Sequence, residues 1–342
     1  MASEERGRDA RGPEQRGLEA RGPRTELALG IDLGGTTFAV GLLDREGRLL
    51  AETSHQTPQS SNPEEILSEL GQAATRLARD SAPEQAIAGL GIGIPGPVDP
   101  HTGLIKQCPN LHVLDGVNAG RMLQRATGLP IVVANDAYCA TLAELRHGAG
   151  RGCRYMALLT LGTGVGGGIA IENKVLRGSR QILGEVGHLI IAPGGPRCGC
   201  GNHGCLEALV GKQAIIDRAV RKLQEGRASH LGDIAGPEHE RIDPRLLAEL
   251  ARDGDALCQE VMDETGHYLG LAICDIIVLC DPDKVILGGG IAAAGEVLFA
   301  PIRRTVQHAS RISGFDPANI VAAELGNRAG MVGAASLVWE HL

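Results

Sequence analysis

The stretch Gly184–Glu207, GEVGHLIIAPGGPRCGCGNHGCLE, gathers Cys198, Cys200 and Cys205 in one glycine-rich loop, with His188 upstream. One imidazole nitrogen and three thiolates form a closed tetrahedral set for Zn²⁺, and thiolates favour zinc over magnesium or calcium. Cys-x-Cys is tighter than the spacing in a zinc finger, but Gly199, Gly201 and Gly204 can supply the turns. His203 is an alternative nitrogen ligand by proximity, and the bland alternative is a set of buried thiols with no metal. A closed set leaves no coordination position for water. The expected metal is therefore structural, folding a loop with almost no apolar content of its own.

A second chemical unit lies in LPIVVANDAYCATLAELRHG, a strand, a polar corner at Asn135-Asp136, and a helix. An aspartate at a strand end can accept a hydroxyl proton. The structural alternative for Asp136 is the N-cap of the helix that follows.

Glycine supplies the third unit. GTGVGGG contains Gly162-x-Gly164-x-x-Gly167, formally a dinucleotide fingerprint. That pattern works only where a helix begins directly after it, and GGIAIENKV reads as strand and turn, which excludes a dehydrogenase. DLGGTT (Asp32, Gly34, Gly35, Thr36, Thr37) and LGTGVGG (Gly162, Thr163, Gly164) make better sense as two hairpin turns. Their backbone N–H groups would surround phosphate oxygens. Asp32 could orient Mg²⁺ or its water, since magnesium prefers carboxylate and phosphate oxygens. In DPDKVILGGGIAAAG a buried strand runs into Gly288-Gly289-Gly290 and then a helix, which suits a loop against adenine or ribose. Three glycine loops, each at a strand end, point to ATP.

The elements that must hold these groups are legible in outline. The 342 residues allow two domains or one large one with a deep cleft. Aromatic residues make up only 2 %, so the core must be built from Leu, Ile, Val and Ala. From Glu26 the chain reads as strand, glycine turn, strand, tight turn at Glu46-Gly47, strand, and then a helix from about Pro63 to Asp80 capped by Ser61 or Asn62. Laid ungapped beneath this set, YMALLTLGTGVGGGIAIENKVLRGS puts Thr160-Leu161-Gly162 under Asp32-Leu33-Gly34. A unit repeated once predicts two similar domains facing each other. Residues 1–25, with Arg-Gly recurring every five residues, have no hydrophobic period and read as a disordered tail.

Charge and cysteine usage narrow the class. A net charge of −8 offers no basic face for nucleic acid. No segment reads as a membrane span; the most apolar helix, YLGLAICDIIVLC, is interrupted by Asp275. No basic-then-apolar signal opens the chain. Nine scattered cysteines, an odd number, suit a reducing cytoplasm, with Cys108, Cys139, Cys153, Cys258, Cys274 and Cys280 as core or near-surface thiols.

Taken in order, these motifs resemble the ROK sugar kinases. GIDLGGTT and TLGTGVGGG are similar to that family's two phosphate loops, GIGIPGPVD and CPNL to its sugar-side loops, and ANDAYCATLAE to its catalytic corner. GEVGH followed by CGCGNHGCLE matches its most specific signature, and VILGGGI its adenosine segment. The resemblance runs from Glu26 to the C-terminus. It implies an α/β protein with the actin-like, hexokinase-type ATPase fold (ribonuclease H-like), two similar lobes around a cleft. Residues 26–136 would form the first lobe, with a C-terminal helix at about 327–342 packing back on it, and 137–326 the second. It implies Asp136 as general base and Asn110, Asn135, Glu185, His188 and Glu207 as sugar ligands, and it selects His188 over His203 for the metal. Gly93, Pro95 and Gly96 would let their loop pass close to the sugar. The expected reaction is ATP-dependent, Mg²⁺-assisted phosphorylation of D-glucose to glucose 6-phosphate. N-acetylmannosamine is the nearest rival substrate, fructose and allose are further away, and polyphosphate is an alternative donor. A homo-oligomer, dimer or tetramer, is expected. The reading from another class is a sugar-responsive transcriptional regulator, which in this family carries a DNA-reading domain ahead of the kinase fold; here only the Arg-Gly-Pro tail precedes Glu26.

Overall fold

The structure, a computed structural model, describes residues 26–236, 241–310 and 314–341. The expected tail, 1–25, lies outside the described residues.

The first half comprises β1 (Leu27–Leu33), β2 (Thr37–Leu43), β3 (Leu49–Gln56), α1 (Pro63–Ser81), β4 (Ile87–Ile94), β5 (Val98–Asp99), β6 (Leu104–Ile105), α2 (Ala119–Thr127), β7 (Ile131–Asn135) and α3 (Asp136–His147). The second comprises β8 (Met156–Leu161), β9 (Val165–Ile171), β10 (Lys174–Val175), α4 (Leu206–Val210), α5 (Lys212–Gln224), α6 (His230–Ala235), α7 (Pro244–Arg252), α8 (Ala256–Cys280), β11 (Lys284–Gly288), α9 (Glu296–Ala309), β12 (Ile320–Ala322) and α10 (Ala329–His341). The strand, turn and helix expectations hold closely. Asn62 caps α1 by accepting from the Glu64 amide, with Pro63 preorganised in the first turn. Behind Gly288–Gly290 a 3-10 turn at Ala292–Ala294 intervenes before α9 begins.

Two five-stranded sheets have the same topology, β3-β2-β1-β4-β7 and β10-β9-β8-β11-β12. In each, an antiparallel hairpin opens the sheet and two parallel strands extend it. The ungapped comparison therefore identifies a real duplication, but the hairpins differ in register by one residue. Leu33 pairs with Phe38 across the first turn, whereas Leu161 pairs with Val165 across the second, so the second turn is shorter. The core is aliphatic, as composition requires: Leu27, Leu29, Ile31 and Ile92 in one half, and Leu159, Leu269, Ile273 and Leu287 in the other. Asp275 is on the solvent side of α8, which explains how a charge interrupts that apolar run. Among the described residues, no helix is long and apolar enough to cross a membrane.

Helices α3 and α10 join the halves. Helix α10, AGMVGAASLVWEH, is buried all round, and it packs against β1, β4 and α3. Glycine makes the close approach possible. A Cβ on Gly333 would lie 1.7 Å from the Cys139 carbonyl oxygen, and one on Gly91 would lie 1.7 Å from that of Ala334. Any side chain at these points would force the helices and sheet apart.

Candidate active site

The side chains of His188, Cys198, Cys200 and Cys205 converge, with one ligand atom from each lying within 4.8 Å of the others. Cys200 Sγ and Cys205 Sγ are 3.7 Å apart, as are Cys198 Sγ and His188 Nδ1. Two sulfurs at about 2.3 Å from a tetrahedral zinc would be separated by about 3.8 Å, so the donor set and its spacing both fit the ion. Gly201 and Gly204 adopt positive φ and make the turns, whereas Gly199 does not. His203 is outside the cluster, with Nδ1 3.2 Å from the Gly195 carbonyl oxygen.

This segment also grips the second glycine hairpin. Glu207, in the first turn of α4, accepts from the Val165 amide at 3.0 Å, and a Cβ on Gly164 would meet its carboxylate at 2.4 Å. The Lys212 amide donates to the Gly162 carbonyl at 3.0 Å. The residues around the four metal-ligand side chains thus set the position of Gly162, Thr163 and Gly164. The hairpin closes on itself through Gly162 N–H to Gly164 O at 3.0 Å.

In the first hairpin, the Gly34 amide donates to Thr37 O at 2.9 Å, and Thr57 anchors the turn from below through its amide to Thr36 O and its hydroxyl to Gly34 O. Asn110 packs against Gly35, where a Cβ would be 2.9 Å from that of the asparagine. The loop that carries Asn110 thus touches the first glycine turn.

Asn135, not Asp136, is the N-cap of α3: its backbone is extended (φ −67°, ψ 147°) and its Oδ1 accepts from the Tyr138 amide at 3.1 Å. Its Nδ2 donates to Gly96 O at 3.1 Å and ties down the Pro-Gly loop. Asp136 is relieved of capping and is the first residue of the helix. Burial raises its carboxyl from an ordinary 3.8 to about 7; the Ala137 amide opposes the shift, and the charges of Asp32 and Glu185 add to it. Burial raises Asp32 to about 6.

These two carboxylates line one cavity of about 630 Å³ together with Gly288, Gly289, Gly326 and Asn327. Asp32 accepts no hydrogen bond from the described residues, and a Cβ on Gly330 would run into its carboxylate at 2.3 Å. An unpartnered carboxylate beside two glycine turns fits Mg²⁺. A neighbouring cavity of about 460 Å³ takes in Asn135 and Glu185, with Arg177 stacked 4.2 Å over the Tyr138 ring at its wall. Gly290 lies on the turn beyond β11, with open space where a Cβ would stand. Sequence reasoning missed Gly326, Asn327 and Gly330. Their only signal, a Gly-Asn pair before an apolar helix, is shared by ordinary turns.

The proteins that share this geometry are consistent. The ROK family model matches residues 28–341. A glucokinase of Thermotoga maritima is 35 % identical over 94 % of this chain and 99 % of its own. A ROK family glucokinase from Streptomyces griseus, solved in complex with glucose and AMPPNP, superposes with a TM-score of 0.77 at 34 % identity, covering 92 % of this chain and 99 % of that one. A ROK family transcriptional regulator, a homologue of the Escherichia coli MLC protein, superposes at 0.81 with 30 % identity, covering 92 % of this chain and 78 % of that one. With the actin-like duplication, the Cys/His cluster and a match over nearly all its length, this chain belongs to the ROK family.

Proposed function

We propose that this chain is a glucokinase, transferring the γ-phosphoryl group of ATP to the 6-hydroxyl of D-glucose. The observation that carries the reading is the shared cavity: Asp136 and Asp32 face one space with the glycine turn after β11, in a chain closely similar to glucokinases over its full family match.

Asp136 accepts the sugar hydroxyl proton as that oxygen bonds to phosphorus and the bond to the ADP oxygen breaks. A carboxyl held near 7 is well matched to such a transfer at neutral pH. Asp32 would hold Mg²⁺, which when bound supplies charge neutralisation at the phosphates. The amides of Gly35 and Thr36 and of Thr163 and Gly164 cradle the phosphates, and Gly288–Gly290 backs the nucleoside. Asn110, Asn135, Glu185, His188 and Glu207 are proposed to bind the sugar. His188, Cys198, Cys200 and Cys205 would hold a structural Zn²⁺ that fixes the orientation of the His188 ring. Residues 26–136, with the helix from about 327 returning to them, and residues 137–326 are proposed as lobes that close on the sugar and keep water from the γ-phosphate. A homo-oligomer and cytoplasmic residence accompany the reading, the latter supported by nine unpaired thiols.

The test is ADP release from Mg²⁺ and ATP with glucose, N-acetylmannosamine, fructose or allose at equal concentration. Preference for glucose is expected; preference for another sugar would overturn the substrate. The regulator reading is kept in view by the TM-score of 0.81 to an MLC homologue. Absence of turnover with all four sugars, together with a gel shift on operator DNA, would favour it.

A further inference from the structure

Glu144 is fully buried near the C-terminal end of α3, and among the described residues no ion pair reaches it. Burial costs its oxygens their hydrogen bonds to water. Three backbone amides offset that cost. Oε2 accepts from Ala149 N at 2.8 Å and Glu324 N at 3.2 Å, and Oε1 accepts from Leu325 N at 2.8 Å. Both oxygens are thereby used, and two of the three donors come from a segment about 180 residues away in sequence.

That segment leads directly into the nucleotide cavity. Leu325 is the cap of the 3-10 turn Gly326–Arg328, whose Arg328 amide returns to Leu325 O at 3.0 Å. Gly326, Asn327, Ala329 and Gly330 line the cavity, and Gly330 is pressed against Asp32. The other end of the same helix begins with Asp136. Helix α3 therefore carries the proton acceptor on its first residue and clamps the cavity floor two turns further on.

We propose that Glu144 is a positioning residue for nucleotide binding: it fixes Gly326–Gly330 against the cavity and sets that floor relative to Asp136. The inference rests on reading the cavity as the ATP site. In Glu144→Gln the amide can present its oxygen to one side only, leaving an N–H pointed at a backbone N–H on the other.

The KM for ATP and the dissociation constant for MgADP, measured by calorimetry, should rise about tenfold or more, the scale of one lost charge-assisted hydrogen bond. The KM for glucose, and the zinc content, should stay within about twofold of wild type, because neither the sugar-side residues nor the Cys/His cluster touches Glu144. A merely structural role would lower the melting temperature and move both KM values together. Unchanged MgADP affinity, or equal losses for glucose and ATP, overturns the proposal. If the variant does not fold, hydrogen exchange on the wild-type protein decides. Slow exchange at the Glu324 and Leu325 amides, slowed further by MgADP, supports the clamp, and fast exchange in the free protein refutes it. A wild-type enzyme that binds MgADP but does not phosphorylate glucose would fail the proposed function and leave the clamp standing.

Discussion

Replacing Asp136 by asparagine keeps the shape of the side chain and an oxygen for the Ala137 amide, while removing the proton acceptor. Turnover should fall by about 10²–10⁴-fold, the usual contribution of a positioned base. The same change should stabilise the fold in a pH-dependent way. The carboxyl is raised from 3.8 to about 7, and at about 1.4 kcal/mol per pKa unit this corresponds to roughly 4 kcal/mol at most. Asp136 keeps some solvent contact in the open cleft, so roughly 2 kcal/mol is the better expectation. The sign follows from proton linkage. The folded state holds this proton more tightly than the unfolded chain, so the carboxyl's favourable contribution is complete below 3.8 and is lost as pH rises through about 7. At about pH 8 the ionised aspartate therefore costs stability that asparagine does not, and near pH 4 the two should be alike. Coupled ADP-release assays, glucose titration calorimetry and thermal melts at the two pH values test the whole chain of reasoning. Turnover within about tenfold of wild type would remove Asp136 as the base. A gain in melting temperature that is the same at both pH values would show that the carboxyl is not held up by burial.

The other expectations concern the metal-ligand segment, the pH profile and the helix crossing. Cys200→Ser should lose zinc and glucose affinity together, and through Glu207 and Lys212 it should also weaken ATP; wild-type protein without stoichiometric zinc by metal analysis would break that link. Glu207→Ala should retain zinc but raise the KM for ATP by about tenfold, because the Val165 amide loses a charged acceptor; an unchanged ATP KM would count against the coupling. For the wild-type enzyme, kcat/KM should fall about tenfold per pH unit below about 7 as Asp136 takes up its proton; a flat profile down to pH 5 would contradict the raised carboxyl. Gly333→Leu should destabilise by more than about 4 kcal/mol, since its Cβ would overlap the Cys139 carbonyl, and a melt close to wild type would show that the crossing of α3 and α10 can relax.

What the sequence disclosed depended on how local the cause was. The Cys-x-Cys spacing, with Cys205 and His188 close by, encodes a metal loop within a short stretch, and the cluster forms as expected. Alternation and glycine turns fixed β1, β2, β8 and β9 for the same reason. Helix α10 was reached only through the family resemblance, which implied a C-terminal helix packing back on the first lobe. The assignment between Asn135 and Asp136 was ambiguous in principle: both residue types cap helices well, and only the backbone angle at Asn135 decides. Glu144, and the bond that ties Glu207 to the second hairpin, were beyond local reasoning altogether. Each looks like a helix-surface acid, and its partner amides lie 181 and 42 residues away in sequence. The one-residue difference between the two hairpin registers was hidden too, because an ungapped comparison preserves the strands while missing a shortened turn.

The duplication explains the framework and also why the chemistry is asymmetric. At equivalent points of the two first strands stand Asp32 and Thr160, and both line the cavity proposed for the nucleotide. A second acid at Thr160 would join Asp32 and Asp136, both already raised by burial, with the charge of Asp32 adding to the shift at Asp136. Three carboxylates there would favour protonation of the base and repel the phosphates. The second hairpin stays uncharged on that face, and the acid that serves it, Glu207, approaches from behind with its charge already engaged by a backbone amide. Under the proposed function, one half thus contributes the carboxylate for a cation, and the other a neutral cradle held from the metal-ligand segment. Asp136, the proposed general base, sits on the helix between them, where small changes in how the halves meet alter its distance to both.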